Sequence, residues 1–227
     1  MKVTLSFEES SGSDVSIMVD ALRASTTITL SLDKFDKIIP CFSPQEAFKL
    51  KEEFGGLIAG ERGGKQIEGF DIGNSPIAIR DLKTDEKTLI LTTSNGTRIL
   101  ENMNGKVLVG SLVNAKAVAL KSIQLADTHI DVVMAGWKGN FALEDFLASG
   151  EILYWICNGL NDYELSEYGK AAIMSSRDDE EVKKGFFESG SGKRLAKLNY
   201  ENDIEYCCKK NICENVGIYE NNTIKLL

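Results

Sequence analysis

The sequence predicts an α/β fold, three layers of α/β/α around a largely parallel or mixed sheet. Two observations carry this expectation. Short apolar runs alternate with amphipathic stretches along most of the 227 residues, as successive strand and helix units require. The composition is 43% hydrophobic and 26% charged, so there is enough apolar side chain for a sizeable core and disorder is excluded.

Strands are expected at Val3–Phe7, Val15–Val19, Lys37–Ile39, Leu57–Ala59, Thr88–Leu91, Lys106–Val109 and Asp131–Ala135. Between them, Ser43-Pro44-Gln45-Glu46 combines a capping serine, proline at the first helical position and glutamate three residues after the cap, which together start a helix. Apolar spacing predicts further helices at Asn114–Gln124 and Leu143–Cys157. The character changes from about Asp162, where short helices are expected at Leu165–Ser176, Asp179–Glu188, Gly192–Leu198 and Asp203–Lys210. Val216–Leu227 reads as a hairpin turning at Asn221-Asn222. The expected organisation is one domain over 1–227, with strand-end motifs in 1–160 and a helical segment plus hairpin in 161–227. It forms either one body or two lobes with the site between them. The Gly60–Lys87 gap exceeds an ordinary connection and marks a functional loop or lid.

Charge and cysteine usage narrow the function. A net charge of −8 argues against nucleic acid and anionic membranes as partners, though a few arginines and backbone amides can still make a local anion pocket. The five cysteines are scattered, odd in number and without a CxxC pair, so neither a disulfide framework nor a zinc site is expected. There is no apolar signal segment at the start and no run near the ~20 residues of a membrane span. A cytoplasmic enzyme is the expectation, and a homodimer fits the apolar helices and the hairpin.

Ligands of open α/β sheets bind at the carboxyl ends of the strands, and five predicted strand ends here carry Gly, hydroxyl, Asn, acidic or Arg residues. Asp20 follows one apolar strand directly, and a buried carboxylate there needs a cation or donors; it is a candidate metal ligand or nucleophile. Arg23 and Arg62 offer bidentate contacts to an oxyanion. Thr93, Ser94, Asn95, Gly96 and Thr97 offer hydroxyls and amides at a helix start, which suit a phosphate or carboxylate as well as an ordinary cap. Glu61, Glu144 and Asp145 would join Asp20 around Mg²⁺, which prefers oxygen ligands; Glu144-Asp145 equally suits the first turn of a helix.

Elimination removes the commoner chemistries. His129, the only histidine, begins a strand, at the end away from these motifs. No cysteine has Arg six positions on, Asp20 is followed by Leu22 where an aspartyl-phosphatase pattern has a second Asp, and Gly190–Arg194 follows no strand and lacks the hydroxyl of a Walker loop.

Five segments resemble the 2-phosphosulfolactate phosphatase family of coenzyme M biosynthesis. They are VDALRASTTI (19–28), AGERGGKQIEGFDIGNSP (59–76), LTTSNGTR (91–98), GSLVNAKAVA (110–119) and AGWKGNFALEDFLASG (135–150). The resemblance implies Mg²⁺-dependent hydrolysis of (R)-2-phospho-3-sulfolactate to 3-sulfolactate and phosphate. It places Ser25, Thr26, Asp71, Asn74 and Asn114 with the substrate-binding residues, beside Arg62 and Thr93–Thr97, and leaves Asp20, Arg23 and Glu61 as the catalytic set. Other readings of the same residues are a phosphatase for another phosphorylated hydroxy acid, a non-catalytic binder of a small dianion, and a synthase or transferase.

Overall fold

The computed structural model describes residues 1–227, apart from the side chains of Thr97, Arg98 and Glu101. Strands β1 (Lys2–Phe7) and β2 (Val15–Val19) lead through a short turn into α1 (Ala24–Ser31). Next come β3 (Lys37–Cys41), α2 (Pro44–Phe54) and β4 (Leu57–Arg62). Ser43 caps α2 by accepting the Glu46 amide at 3.1 Å, and Glu46 reaches back to the Phe42 amide at 2.8 Å, the reciprocal pair expected from that sequence.

The long Gly60–Lys87 interval is not structureless. It holds β5 (Lys65–Gln66), antiparallel to β4, and α3 (Pro76–Asp81), which Ser75 caps. Then β6 (Thr88–Thr92), α4 (Gly96–Ile99), β7 (Lys106–Gly110), α5 (Ala115–Leu125), β8 (His129–Met134) and α6 (Leu143–Gly159) complete the alternation. The remainder contains β9 (Glu164–Leu165), α7 (Glu167–Ser175), α8 (Asp179–Glu188), α9 (Gly190–Ala196), α10 (Glu201–Cys207) and the hairpin β10 (Gly217–Glu220) and β11 (Thr223–Leu226).

The sheet has the order β5-β4-β6-β3-β11-β10-β7-β2-β8-β1-β9 and is mostly parallel. Its parallel strands fall into two groups, β4-β6-β3 and β7-β2-β8-β1-β9, and the C-terminal hairpin lies antiparallel between them. The joint is firm on one side, with three pairs to β7 from Gly217 to Tyr219. On the other side it is one pair, Ile224 opposite Ile38, close to Pro40, which has no N–H to give a ladder.

Alternation along the central strands assigns the two faces. Ile17 and Val19 of β2 join Val132 and Met134 of β8 in a cluster with Ile152 of α6 and Phe186 of α8. Met18, Val107 and Val109 face the other way, onto Ile28 of α1, Ile79 of α3 and Ile99 of α4. A third cluster packs Ala47 of α2 on Ile39, Ile58 and Ile90. Helices therefore cover both faces in three layers, as parallel strands buried on both sides require. Among the described residues no helix is long and apolar enough to cross a membrane.

The hairpin seam makes a testable point. Ile224 is fully buried among Ile38 and its neighbours, so Ile224→Ala is expected to lower stability by about 2–5 kcal/mol in urea unfolding. A change within about 0.5 kcal/mol, the size of a neutral surface substitution, would show that the seam does not join the two strand groups.

Candidate active site

The segments that leave β2, β4, β6 and β8 meet α9 around a cleft lined by Asp20, Glu61, Ser94, Trp137 and Arg194, although three successive antiparallel pairings (β3 with β11, β11 with β10, β10 with β7) set the two strand groups running in opposite directions. Asp20 leaves β2 into this cleft. Its carboxylate accepts the amides of Ala24 and Gly96, and its own amide donates to Ser25 Oγ at 2.9 Å. Gly96 is required by that approach, because a Cβ there would stand 2.9 Å from Asp20 Oδ2.

Glu61, in β4, is held in the same manner. Its Oε2 accepts the Gly64 amide at 2.6 Å and its Oε1 the Ser94 amide at 2.7 Å. Asp145 on α6 bridges the Ala21 amide at 2.8 Å and the Gly136 amide at 2.9 Å, tying the turn after β2 to the end of β8. Glu144 beside it is buried, and its Oε2 has no hydrogen-bond partner.

Arg23 is 3% exposed and fully engaged at both terminal nitrogens. Nη1 pairs with Asp203 at 2.6 Å, and Nη2 donates to the Gly64 carbonyl at 2.8 Å. Ser75 donates to the other Asp203 oxygen at 2.7 Å, and the guanidinium lies 4.4 Å from the Tyr200 ring centroid. Residues 64, 75, 200 and 203 thus pin one arginine from three separate parts of the chain.

The concentration of buried acid has an electrostatic consequence. Burial pushes the Asp20 carboxyl up to about 7, Glu61 and then Glu144 push the same way, and the Ala24 and Gly96 amides oppose them. Burial likewise holds Asp145 well above the ordinary carboxylate range, with Glu144 and Asp20 adding to it. A carboxyl at the mouth of a cleft with its ionisation displaced in this way marks a functional site.

Comparison with known proteins identifies the cleft's lineage. A profile of the 2-phosphosulpholactate phosphatase family matches residues 3–222. The chain belongs to that family. A 2-phosphosulfolactate phosphatase of Methanothermobacter thermautotrophicus is 45% identical over 227 residues, all of this chain and 96% of that one. A probable 2-phosphosulfolactate phosphatase of Carboxydothermus hydrogenoformans is 39% identical over 206 residues (87% of this chain, 83% of its own). Another, of Clostridium acetobutylicum, is 35% identical over 223 residues (96% of this chain, 94% of its own).

Within this phosphatase, Asp20, Arg23, Glu61, Asn74, Ser94 and Asn95 line the cleft together. Other residues expected from the sequence have structural duties instead. Arg62 turns away and donates to its neighbour's carbonyl, to the Phe42 carbonyl and to Thr92 Oγ1. Asp71 pairs with Lys51 at 2.6 Å and accepts the Ile58 amide. Ser25 and Thr26 bond back to the turn after β2, and Thr93 is buried beneath the cleft rather than lining it. Asn114 caps the turn after β7, accepting from Ser111 and donating to the Val109 and Asn215 carbonyls, so this fifth strand end contributes architecture. The amides of Ser94 and Gly96 are committed to Glu61 and Asp20, so the Thr93–Thr97 stretch cradles carboxylates. The Thr97 side chain lies outside the described residues.

Sequence reasoning missed Arg194 and Leu195 of α9, which line the cleft, and Asp203, which anchors Arg23. Trp137 lines it too; it stood in a quoted motif without a role. Nothing in the local pattern around 194 or 203 points to a site at residues 20–96; only packing unites them.

A hard dication suits the chemistry of this donor set. Asp20 is buried close enough to Glu61 and Glu144 that both disfavour its ionisation, and Glu144 Oε2 lacks a partner. Among the described residues, however, no three acidic, histidine or cysteine side chains converge as a ready ligand set. Amides occupy both oxygens of Glu61 and of Asp145, so these two hold loops in this arrangement.

Two outcomes follow. Gly96→Ala should drive Asp20 aside and lower phosphate release by about 100-fold, the cost of a misplaced reacting group, in steady-state assays on folded protein; unchanged turnover would show that Asp20's position is not critical. The second concerns pH. The folded-state value of Asp20 lies above its ordinary 3.8, so stability tied to its protonated form is present below 3.8 and lost as pH rises through about 7. Thermal unfolding in chelator should therefore show a midpoint that falls across that interval, and Asp20→Asn should flatten the slope. An identical slope in the variant would assign it to other groups.

Proposed function

We propose that this cleft hydrolyses the phosphate monoester of a small 2-hydroxy acid, (R)-2-phospho-3-sulfolactate, giving 3-sulfolactate and phosphate, with Mg²⁺ bound at Asp20. The observation that carries the reading is the buried Asp20 carboxyl in a cleft where acids outnumber unpaired cations. Arg23 is already neutralised by Asp203, so a bare dianion would meet Asp20 and Glu61, with Glu144 buried nearby, against Arg194 alone. A bound dication removes that repulsion and makes the same acids useful.

Asp20 and Glu144 are the side chains that would hold Mg²⁺, and Glu61 and Asp145 would add negative charge nearby. When bound, the ion neutralises phosphate charge and acts as a Lewis acid toward the transferring group. The chain's own residues do the positioning. Asp20 is held on the amides of Ala24 and Gly96, Arg23 is fixed by Asp203 and the Gly64 carbonyl, and Ser94 and Asn95 present polar groups to the cleft. Because Asp203 and residues of α9 reach the same cleft as Asp20, residues 1–227 act as one phosphatase domain.

The wider setting follows from the same features. The net charge of −8 favours a small metal-bridged anion over nucleic acid. All five cysteines are free, which fits a reducing cytoplasm, and the exposed Leu226 and Leu227 on the hairpin fit a homodimer.

Asp20→Asn is expected to reduce phosphate release by at least about 1,000-fold at saturating Mg²⁺, the scale seen when a group central to transition-state charge is removed. Chelation of the wild type should abolish release, and Mg²⁺ should restore it. Full activity in the variant, or in chelator, would sink the assignment. Labelled-water incorporation with a trap for phosphoenzyme separates direct attack by water from an Asp20 phosphoester.

A further inference from the structure

Two arginines line the cleft, and they differ in what the protein has already done with them. Arg23 is balanced by Asp203. Arg194, on the cleft wall formed by α9, makes no ion pair among the described residues. Its Nη2 donates to Ser191 Oγ at 3.1 Å, its guanidinium lies 4.7 Å from the Trp137 ring centroid, and its Nε is buried without a partner. Asn74 is buried on the same cleft, and its Oδ1 also lacks a partner.

We propose that Arg194, stacked on Trp137, is the specificity subsite for the substrate's acid group remote from the phosphate, a carboxylate or sulfonate. This rests on the phosphatase reading and deepens it. Asp20, Glu61 and Glu144 make their side of the cleft repulsive to a second anion unless a cation intervenes. An anionic group carried by the substrate skeleton therefore needs a positive charge that no protein carboxylate has claimed, and Arg194 supplies it. Stacking on Trp137 and the bond to Ser191 fix the plane of the guanidinium, so its remaining N–H groups are aimed before the ligand arrives. The unpartnered Asn74 Oδ1 is an acceptor, so it takes no part in holding the acid group and suits a hydroxyl or water donor. Arg62, expected from the sequence to serve such a group, is spent on Phe42, Glu61 and Thr92, and Arg194 takes that place from a distant part of the chain.

The test compares wild type, Arg194→Gln and Arg194→Lys on four esters at saturating Mg²⁺: 2-phosphosulfolactate, 2-phospholactate, the phosphate ester of 2-hydroxyethanesulfonate, and phenyl phosphate, which has neither acid group. Arg194→Gln is expected to lower kcat/KM on 2-phosphosulfolactate by about 10- to 100-fold, the value of charge-assisted hydrogen bonds. The loss should lie mainly in KM, while phenyl phosphate changes less than about twofold. Whichever single-acid ester shares the loss identifies the group bound. Arg194→Lys, which keeps the charge without the fork, should recover only part of it. Calorimetric titration with 3-sulfolactate, which carries no phosphate, should show binding weakened by a similar factor in Arg194→Gln. Equal losses on phenyl phosphate, or unchanged 3-sulfolactate binding, would overturn the subsite. A wild type that releases phosphate from none of the esters would instead overturn the phosphatase reading, and the calorimetry would still decide the role of Arg194.

Discussion

Asp20 stands buried beside Glu61 and Glu144, with Asp145 a short step behind, and like charges so placed are unfavourable unless something offsets them. Much of the local structure serves as that offset. Backbone amides of Ala24 and Gly96 point at Asp20, those of Gly64 and Ser94 at Glu61, and those of Ala21 and Gly136 at Asp145. Each amide comes from a loop at a strand end. The carboxylates therefore hold the loops as much as the loops hold the carboxylates. Glu144 differs from these carboxylates in keeping a buried oxygen without a hydrogen-bond partner.

The second constraint is mechanical. The acids come from both strand groups of the sheet: Asp20 and Asp145 belong to one, Glu61 to the other. What brings them into register lies late in the chain. The β10–β11 hairpin fills the seam between the groups. On the cleft side Asp203 of α10 takes Arg23 from one group and Ser75 from the other. The residues after 160 thus complete the site rather than decorate it.

Much was legible from the sequence because strand ends within one parallel group lie together by construction. Asp20, Glu61, Ser94 and Asn95 each follow or end an apolar run, but Asp20 belongs to one strand group and the other three to a second group that runs in the opposite direction, so their convergence is decided by tertiary packing. The candidates that do not line the cleft share one physical trait. Arg62, Asp71, Ser25, Thr26 and Asn114 carry polar groups suited to a ligand, but backbone groups nearby need the same contacts. Asn114 shows this plainly, since its amide closes a capping box and reaches the Asn215 carbonyl. A motif records that a polar residue is needed without saying whether the need is the ligand's or the backbone's.

By itself the sequence determined the element order, the caps, the hairpin, the strand ends that carry the chemistry and the acids found there. Those properties rest on period, turn chemistry and chain direction, all local. Tertiary structure alone decided that the hairpin joins the two strand groups, that Asp203 claims Arg23, and that Arg194 stays unclaimed on the cleft wall. These depend on contacts across more than a hundred residues, where no spacing rule applies. The balance of charge in the cleft depends on such pairings, so the sequence could name its charged residues but not say which of them remain free to meet a ligand.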